Sequence, residues 1–301
     1  MSFTVELKKE LAELNIKSGC CKKSLAWGIL LDADHEEGTD EVAVSFPDLD
    51  VAEAVGKLFA GVFGKHPEII EKTVIGHKRY VVKQSSKAAA TTLERWDSGT
   101  EKLGLSPDCG SCGIIFVRGA IIGCAMINDP QKETHLEFRF KHTSRAALLY
   151  PFLSEFGDPP KIVNRKSSCG LYFKKSGLIE DLLLQCGAQQ AGFKLINDKI
   201  KNEIRNTENR LTNCEARNIE KAVTASHRHV TAIRYLMSQP SLWESLSEDL
   251  RDTARLRMQN EGASLQELML MHNPPISKSG LNHRLERLLK LAQAAQEQSK
   301  V

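Results

Sequence analysis

Two sets of residues in this chain have types and spacings that can do chemistry. The first runs Ile276-Ser277-Lys278-Ser279-Gly280-Leu281-Asn282-His283-Arg284-Leu285 and continues to Arg287 and Lys290. Arg284 can fork two hydrogen bonds to guanine, and Asn282 can pair with adenine. Ser277, Lys278 and Ser279 suit phosphate oxygens. The second set is made of cysteines. Cys109-Gly110-Ser111-Cys112 has metal-ligand spacing, and Cys20-Cys21 offers two more thiolates for a four-thiolate zinc site. Adjacent cysteines rarely both face one ion, and there is no second Cys-x-x-Cys. Ordinary reduced or buried thiols are the expectation, with zinc and a redox pair as alternatives. His227 and His229 lack the His-x-x-x-His spacing of a zinc helix, and the sequence has no Gly-rich phosphate loop and no Gly-x-Ser-x-Gly elbow. No catalytic residue, metal ligand or cofactor is assigned.

The elements that must position the first set are readable from their caps. Ser247 precedes Glu248-Asp249, a helix start that runs to about Met258, and Gly262-Ala263 breaks the chain. Ser264-Leu265-Gln266-Glu267 is a capping box opening a short helix through Met271, which Asn273-Pro274-Pro275 ends. Ser277 then caps a last helix with Leu281, Leu285, Leu288, Leu289 and Ala292 on one face and polar or basic residues opposite. A short helix, a tight turn and an amphipathic helix make a helix-turn-helix, whose second helix enters the major groove of DNA. A hairpin that merely packs or dimerises is the alternative. Upstream, residues 197–237 contain neither Pro nor Gly, and apolar residues recur at near-helical spacing. This reads as two or more helices. The Asn-rich run Asn209–Asn218 favours a break, because asparagine hydrogen-bonds its own backbone, so the interdomain connector is placed at Lys194–Asn218.

Length and composition agree with two domains. The chain has 301 residues, 41% hydrophobic and 26% charged, which excludes wholesale disorder. The longest apolar run, Gly113–Ile127, has 15 residues and is interrupted by Arg118, whereas a spanning helix needs ~20. Charges near the N-terminus fall where a signal peptide needs an apolar stretch, so a cytoplasmic protein is expected, nucleoid-associated where it binds DNA. Eight cysteines are too dilute for a disulfide scaffold. From Lys194 onward there are 17 Lys and Arg against 13 Asp and Glu, and before it 24 against 25. The basic excess thus lies in the C-terminal third, where an acidic partner such as DNA would be met.

The first two thirds contain a weak internal repeat at an offset of 91 residues. Gly28-Ile29-Leu30-Leu31 falls on Gly119-Ala120-Ile121-Ile122, and Tyr80-Val81-Val82-Lys83-Gln84-Ser85 falls on Leu171-Tyr172-Phe173-Lys174-Lys175-Ser176. Each copy reads as an apolar helix, then a strand (Glu41–Phe46; Thr134–His142) and a helix (Val51–Phe63; Ser144–Phe156). Two strands follow (Pro67–Val74 with His77–Lys83; Lys161–Asn164 with Gly170–Lys174), then a closing helix (Ser86–Trp96; Gly177–Cys186). Gly28, Gly119, Gly123 and Ala125 leave room for the two apolar helices to meet backbone to backbone.

Leu30-Leu31-Asp32-Ala33-Asp34 resembles the LAGLIDADG signature of homing endonucleases. The resemblance implies paired helices at a domain interface, each ending in an acid that binds a catalytic metal for two-metal phosphodiester hydrolysis. The first copy offers Asp34, but the matching position in the second is Ala125, and Asp129 lies four residues further on in an Asn-Asp-Pro turn. A single carboxylate is a poor metal site, so the scaffold is expected without its chemistry. The C-terminal string from Ile276 to Leu285, with Asn209–Asn218, Cys20-Cys21 and Arg118-Gly119-Ala120, resembles the WhiA family over nearly the whole chain. Here Asp32-Ala33-Asp34 is nearer the nuclease pattern than that family's, and Ala125-Met126 stands where small Gly and Ser residues are usual. The resemblance implies a DNA-binding transcriptional regulator of Gram-positive bacteria, linked to cell division and, in some, to sporulation.

Together these readings give an α+β chain. A degenerate LAGLIDADG-like repeat domain occupies residues 1–193, a helical linker 194–218 and an all-α helix-turn-helix domain 219–301. The expected partner is double-stranded DNA at promoter sites, with another transcription regulator as a second partner. The residues expected to meet DNA are Ser277, Lys278, Ser279, Asn282, His283, Arg284 and Arg287. The competing functions are a metal-dependent DNA endonuclease using Asp34 and a partner-docking structural protein.

Overall fold

The computed structural model of the chain describes residues 2–100, 103–106, 108–128 and 134–298. The chain divides into two compact units, Met1–Glu203 and Ile204–Val301. Asp129 lies outside the described residues.

In the first unit, α1 (Phe3–Glu13) precedes two copies of one arrangement. The first copy is α2 (Gly19–Ile29), ending in a 3-10 turn at Leu30–Asp32, then β1 (Asp34–His35), β2 (Glu41–Phe46), α3 (Leu49–Phe63), β3 (Glu68–Val74), β4 (His77–Ser85) and α4 (Lys87–Asp97). The second is α5 (Cys112–Cys124), β5 (Ala125–Ile127), β6 (Leu136–Phe140), α6 (Thr143–Ser154), β7 (Lys161–Arg165), β8 (Ser168–Phe173) and α7 (Ser176–Gln185). The two antiparallel sheets have the same order, β1-β2-β4-β3 and β5-β6-β8-β7. Asp34 opens β1 opposite Ala43 and Ala125, 91 residues later, opens β5 opposite Phe138, so the offset is kept on β1 and β5 and grows to 95 on their partners.

Local chemistry explains the elements. In β2, Val42, Val44 and Phe46 alternate inward, the period-2 pattern of a half-buried strand. Asp48 caps α3 by accepting from the backbone N–H groups of Asp50 and Val51 at 3.1 and 3.4 Å. Gly64 ends that helix at φ 77°, where an L side chain is disfavoured. At the centre of the unit, α2 and α5 cross with no side chain between their backbones. A Cβ on Gly28 would lie 2.1 Å from the Phe116 carbonyl oxygen, and one on Gly119 would lie 2.2 Å from that of Leu25. Gly123 is similarly pressed on Ile29, 2.5 Å from its carbonyl oxygen. Leu25, Ile29, Phe116 and Ile121 seal this contact and are all buried. Each such side chain stabilises the fold by about 1.5–3 kcal/mol relative to exposure.

The second unit is all helix. The helix α8 (Gln189–Met237) is followed by α9 (Pro240–Ser245), α10 (Glu248–Gln259), α11 (Leu265–Met271) and α12 (Lys278–Gln298). Ile233 and Leu236 from the end of α8 join Leu250, Ala254, Leu268 and Leu281, Leu285, Leu288 and Leu289 of α12 in one core. The expected break at Asn209–Asn218 is absent: α8 is a single helix of 49 residues that passes through this stretch. Asparagine costs a helix only about 0.7 kcal/mol per residue relative to alanine, well below glycine or proline, and neither occurs there. The division between the units at residues 203 and 204 falls within α8. Among the described residues, no helix is long and apolar enough to cross a membrane.

Candidate nucleic-acid interface

The residues expected to meet DNA lie on or just before α12. Leu281, Leu285, Leu288, Leu289 and Ala292 are all buried, the face expected from their spacing. Turning the helix over places Ser279, His283, Arg287 and Lys290 outward, with Asn282 on the flank; all five are exposed. Ser277 caps the helix by accepting from the Gly280 N–H at 3.1 Å, and it, Lys278 and Ser279 are exposed. The helix N-terminus adds unpaired backbone N–H groups and a partial positive charge, which favour a phosphate.

The helix before it is fixed independently. Ser264 and Glu267 form the reciprocal capping box of α11, with backbone-to-side-chain contacts of 2.7 and 3.2 Å. Arg257, 2% exposed, donates to the Ala263 carbonyl at 2.7 Å and so holds the turn between α10 and α11. Below the turn into α12, His272 lies 3.4 Å from the Thr253 hydroxyl, and burial pushes its imidazole pKa down.

Arg284 differs from the other candidates. It is half-buried, and its Nη2 lies 3.3 Å from Oδ2 of Asp249 at the start of α10. The sequence reading missed this partner, which is 35 residues away and carries no local signal.

In the first unit, the end of the first paired helix meets cations from the end of β6 and from α6. Asp34 is ion-paired with Lys141, which lies just beyond β6. The matching Ala125 is 1% exposed, a buried methyl group. Close by, Arg145 of α6 donates to the Ala33 carbonyl at 2.6 Å and to both oxygens of Asp97. Burial raises the Asp32 carboxyl pKa, although Lys141 and Arg145 pull the other way. Asp34 and Asp97 already have ammonium and guanidinium counter-charges, and with alanine at position 125 the matched pair of acids that would bridge two divalent ions is not present among the described residues.

The four cysteines singled out in the sequence do come together. Cys20 and Cys21 lie in the first turn of α2, Cys109 in the turn before α5, and Cys112 begins α5. Their sulfurs all lie within 4.8 Å of one another, and Cys21 Sγ is 3.7 Å from Cys109 Sγ. Cys21 and Cys112 are buried and the other two half-buried; all four are free thiols. Burial pushes the Cys21 thiol up to about 12, while a 2.9 Å contact with the Ser18 hydroxyl helps hold Cys20 down at about 7.

These features define a class: a duplicated LAGLIDADG-like domain followed by a C-terminal helix-turn-helix. Two family models match the chain, one described as the WhiA LAGLIDADG-like domain over residues 114–205 and one as the WhiA C-terminal HTH domain over residues 209–292. A probable cell division protein WhiA from Caldicellulosiruptor saccharolyticus is 33% identical over 317 aligned positions, covering 97% of this chain and 95% of that protein. Its counterpart from Heliobacterium modesticaldum is 32% identical and covers 100% of this chain and 99% of that protein. The chain belongs to the WhiA family. Full-length WhiA from Thermotoga maritima shares the fold, with a TM-score of 0.60 at 21% identity over 98% of this chain and 99% of that one.

Proposed function

We propose that this chain is a sequence-specific DNA-binding regulator of transcription that acts on promoter sites without cleaving them. The observation that carries the reading is the outer face of α12, where Asn282, His283 and Arg287 stand exposed on a helix backed by five buried residues. Ser277, Lys278 and Ser279 at its start are the phosphate-positioning residues, and Arg284 reads a base once it leaves Asp249. The names of its relatives support a role in cell division, and in this reading sporulation is a second process that the chain regulates. Its localisation in this reading is the cytoplasm, on the nucleoid, and a second transcription regulator is a protein partner.

A non-catalytic repeat domain is supported by Ala125 in place of a second acid and by the Lys141 ammonium on Asp34. The test is selection from a random duplex pool with the full chain, at physiological salt and with magnesium present. An enriched motif on intact DNA is the expected result, and its loss in Asn282→Ala/Arg287→Ala assigns the reading to α12. Binding without enrichment would overturn specificity, and cut products would overturn the non-catalytic reading.

A further inference from the structure

The cysteine quartet has no part in DNA reading, yet its placement is specific. Four of the chain's eight cysteines meet at one point, although Cys21 and Cys109 are 88 residues apart in sequence. By the repeat offset Cys21 corresponds to Cys112, so each repeat brings one of the matched pair to the approximate twofold axis, and each adds a second thiol beside it. Among the described residues this is the one group of three or more Cys, His, Asp or Glu side chains gathered so closely for a metal.

From this geometry we propose that Cys20, Cys21, Cys109 and Cys112 bind one zinc ion in a closed tetrahedral four-thiolate site that fastens the starts of the two central helices together. A zinc–sulfur bond of about 2.3 Å sets tetrahedral sulfur–sulfur edges of about 3.8 Å. The Cys21–Cys109 separation of 3.7 Å already matches such an edge, and all four sulfurs lie within 4.8 Å of one another, at most about one ångström beyond it. An iron–sulfur cluster needs its thiolates spread around a cage of metals and sulfides, which this spacing is too tight to enclose. The electrostatics agree: two helix N-termini point their partial positive charge at the sulfurs, and neither first turn carries an acid. Binding exchanges the four thiol protons for one Zn²⁺ and leaves a complex of net charge −2, with no change of oxidation state. Because all four positions are filled by protein, the ion is structural and has no open site for water.

The full chain, purified under reducing conditions, is assayed for metal by mass spectrometry and then exchanged into cobalt(II). The expected results are one zinc per chain and, with cobalt, a tetrahedral visible spectrum with the strong sulfur-to-cobalt band of four thiolates. Removing zinc with a chelator lowers the Tm of the repeat domain, and adding zinc back restores it. Cys21→Ser/Cys109→Ser loses the ion, whereas Cys214→Ser, at an exposed position outside the quartet, keeps it. A folded, reduced chain with no stoichiometric zinc would overturn the site, as would one that holds iron instead or keeps zinc in the folded double variant. Should the double variant fail to fold, the cobalt spectrum of the unaltered chain decides: a four-thiolate band supports the site, and its absence overturns it.

Discussion

Arg145 in the second repeat grips Asp97 in the first with two parallel bonds, Nε to Oδ1 at 2.6 Å and Nη2 to Oδ2 at 2.7 Å. The third arm reaches the Ala33 carbonyl at 2.6 Å, so one guanidinium, 2% exposed, ties α6 to the end of α4 and to the end of the first central helix. Removing one partner of a buried pair leaves the other charge uncompensated. Arg145→Met is expected to destabilise the repeat domain by about 3 kcal/mol, the lower end for such a change because Asp97 is 26% exposed. Denaturant unfolding followed by Trp27 and Trp96 fluorescence in a Trp243→Phe background measures it. A loss below about 1 kcal/mol, the size of a surface ion pair, would contradict the role given to Arg145.

Two glycine substitutions are expected to move stability in opposite directions. Gly28→Ala places a methyl group 2.1 Å from a backbone carbonyl oxygen that cannot swing aside, so the central helices must separate. A loss of about 3 kcal/mol is expected, at the upper end of overpacking. Gly61 lies within α3 with nothing within 4 Å of its ideal Cβ. Gly61→Ala should stabilise by about 0.5–1 kcal/mol, because alanine has less backbone freedom to lose. The two Tm values, read in the same buffer, give the comparison.

On DNA, Asn282→Ala and Lys278→Ala should differ in kind. The first is expected to cost about 1–3 kcal/mol on the selected motif and to relax preference at one base position. The second should weaken binding equally on all sequences and reduce the slope of log affinity against log salt by about 1. Titrations on matched and single-substituted duplexes at several salt concentrations separate the two.

Acid should weaken the helix-turn-helix unit through its histidines. Burial depresses the pKa of both His229 and His272 below the ordinary 6.5, so the unfolded chain binds more protons in the window beneath that value. Stability is therefore full above pH 6.5 and falls as the pH drops towards the folded-state values. Denaturation midpoints between pH 7.5 and 5, read by Trp243, should show this slope, and His272→Gln should flatten it. An unchanged slope in that variant would remove His272 from the account.

Period-2 alternation and caps made β2 and α12 legible in the sequence almost to the residue. The short strands β1 and β5, of two and three residues, were invisible because so few residues establish no period. The continuity of α8 is hidden by its asparagines, which favour breaks through their own side-chain hydrogen bonds, although their propensity penalty is a fraction of that of proline. At the site, the exposed face of α12 followed from its buried one. The pairing of Arg284 with Asp249 and of Lys141 with Asp34 did not, since residues 35 and 107 apart meet only through tertiary packing. The cysteines show the same limit. Adjacent thiols on one strand point apart, but in the first turn of a helix facing another helix start they converge with a second pair.

The reciprocal contact of Gly28 and Gly119 constrains how the two halves of the first unit can diverge. Each glycine is pressed on a carbonyl of the opposite helix, so a methyl group gained on one side has no compensating loss available on the other. Outside this crossing few identities remain between the repeats, and one half has alanine, Ala125, where the other has Asp34. The crossing itself is a ratchet: symmetry persists where backbone meets backbone, whatever side chains the flanking positions carry.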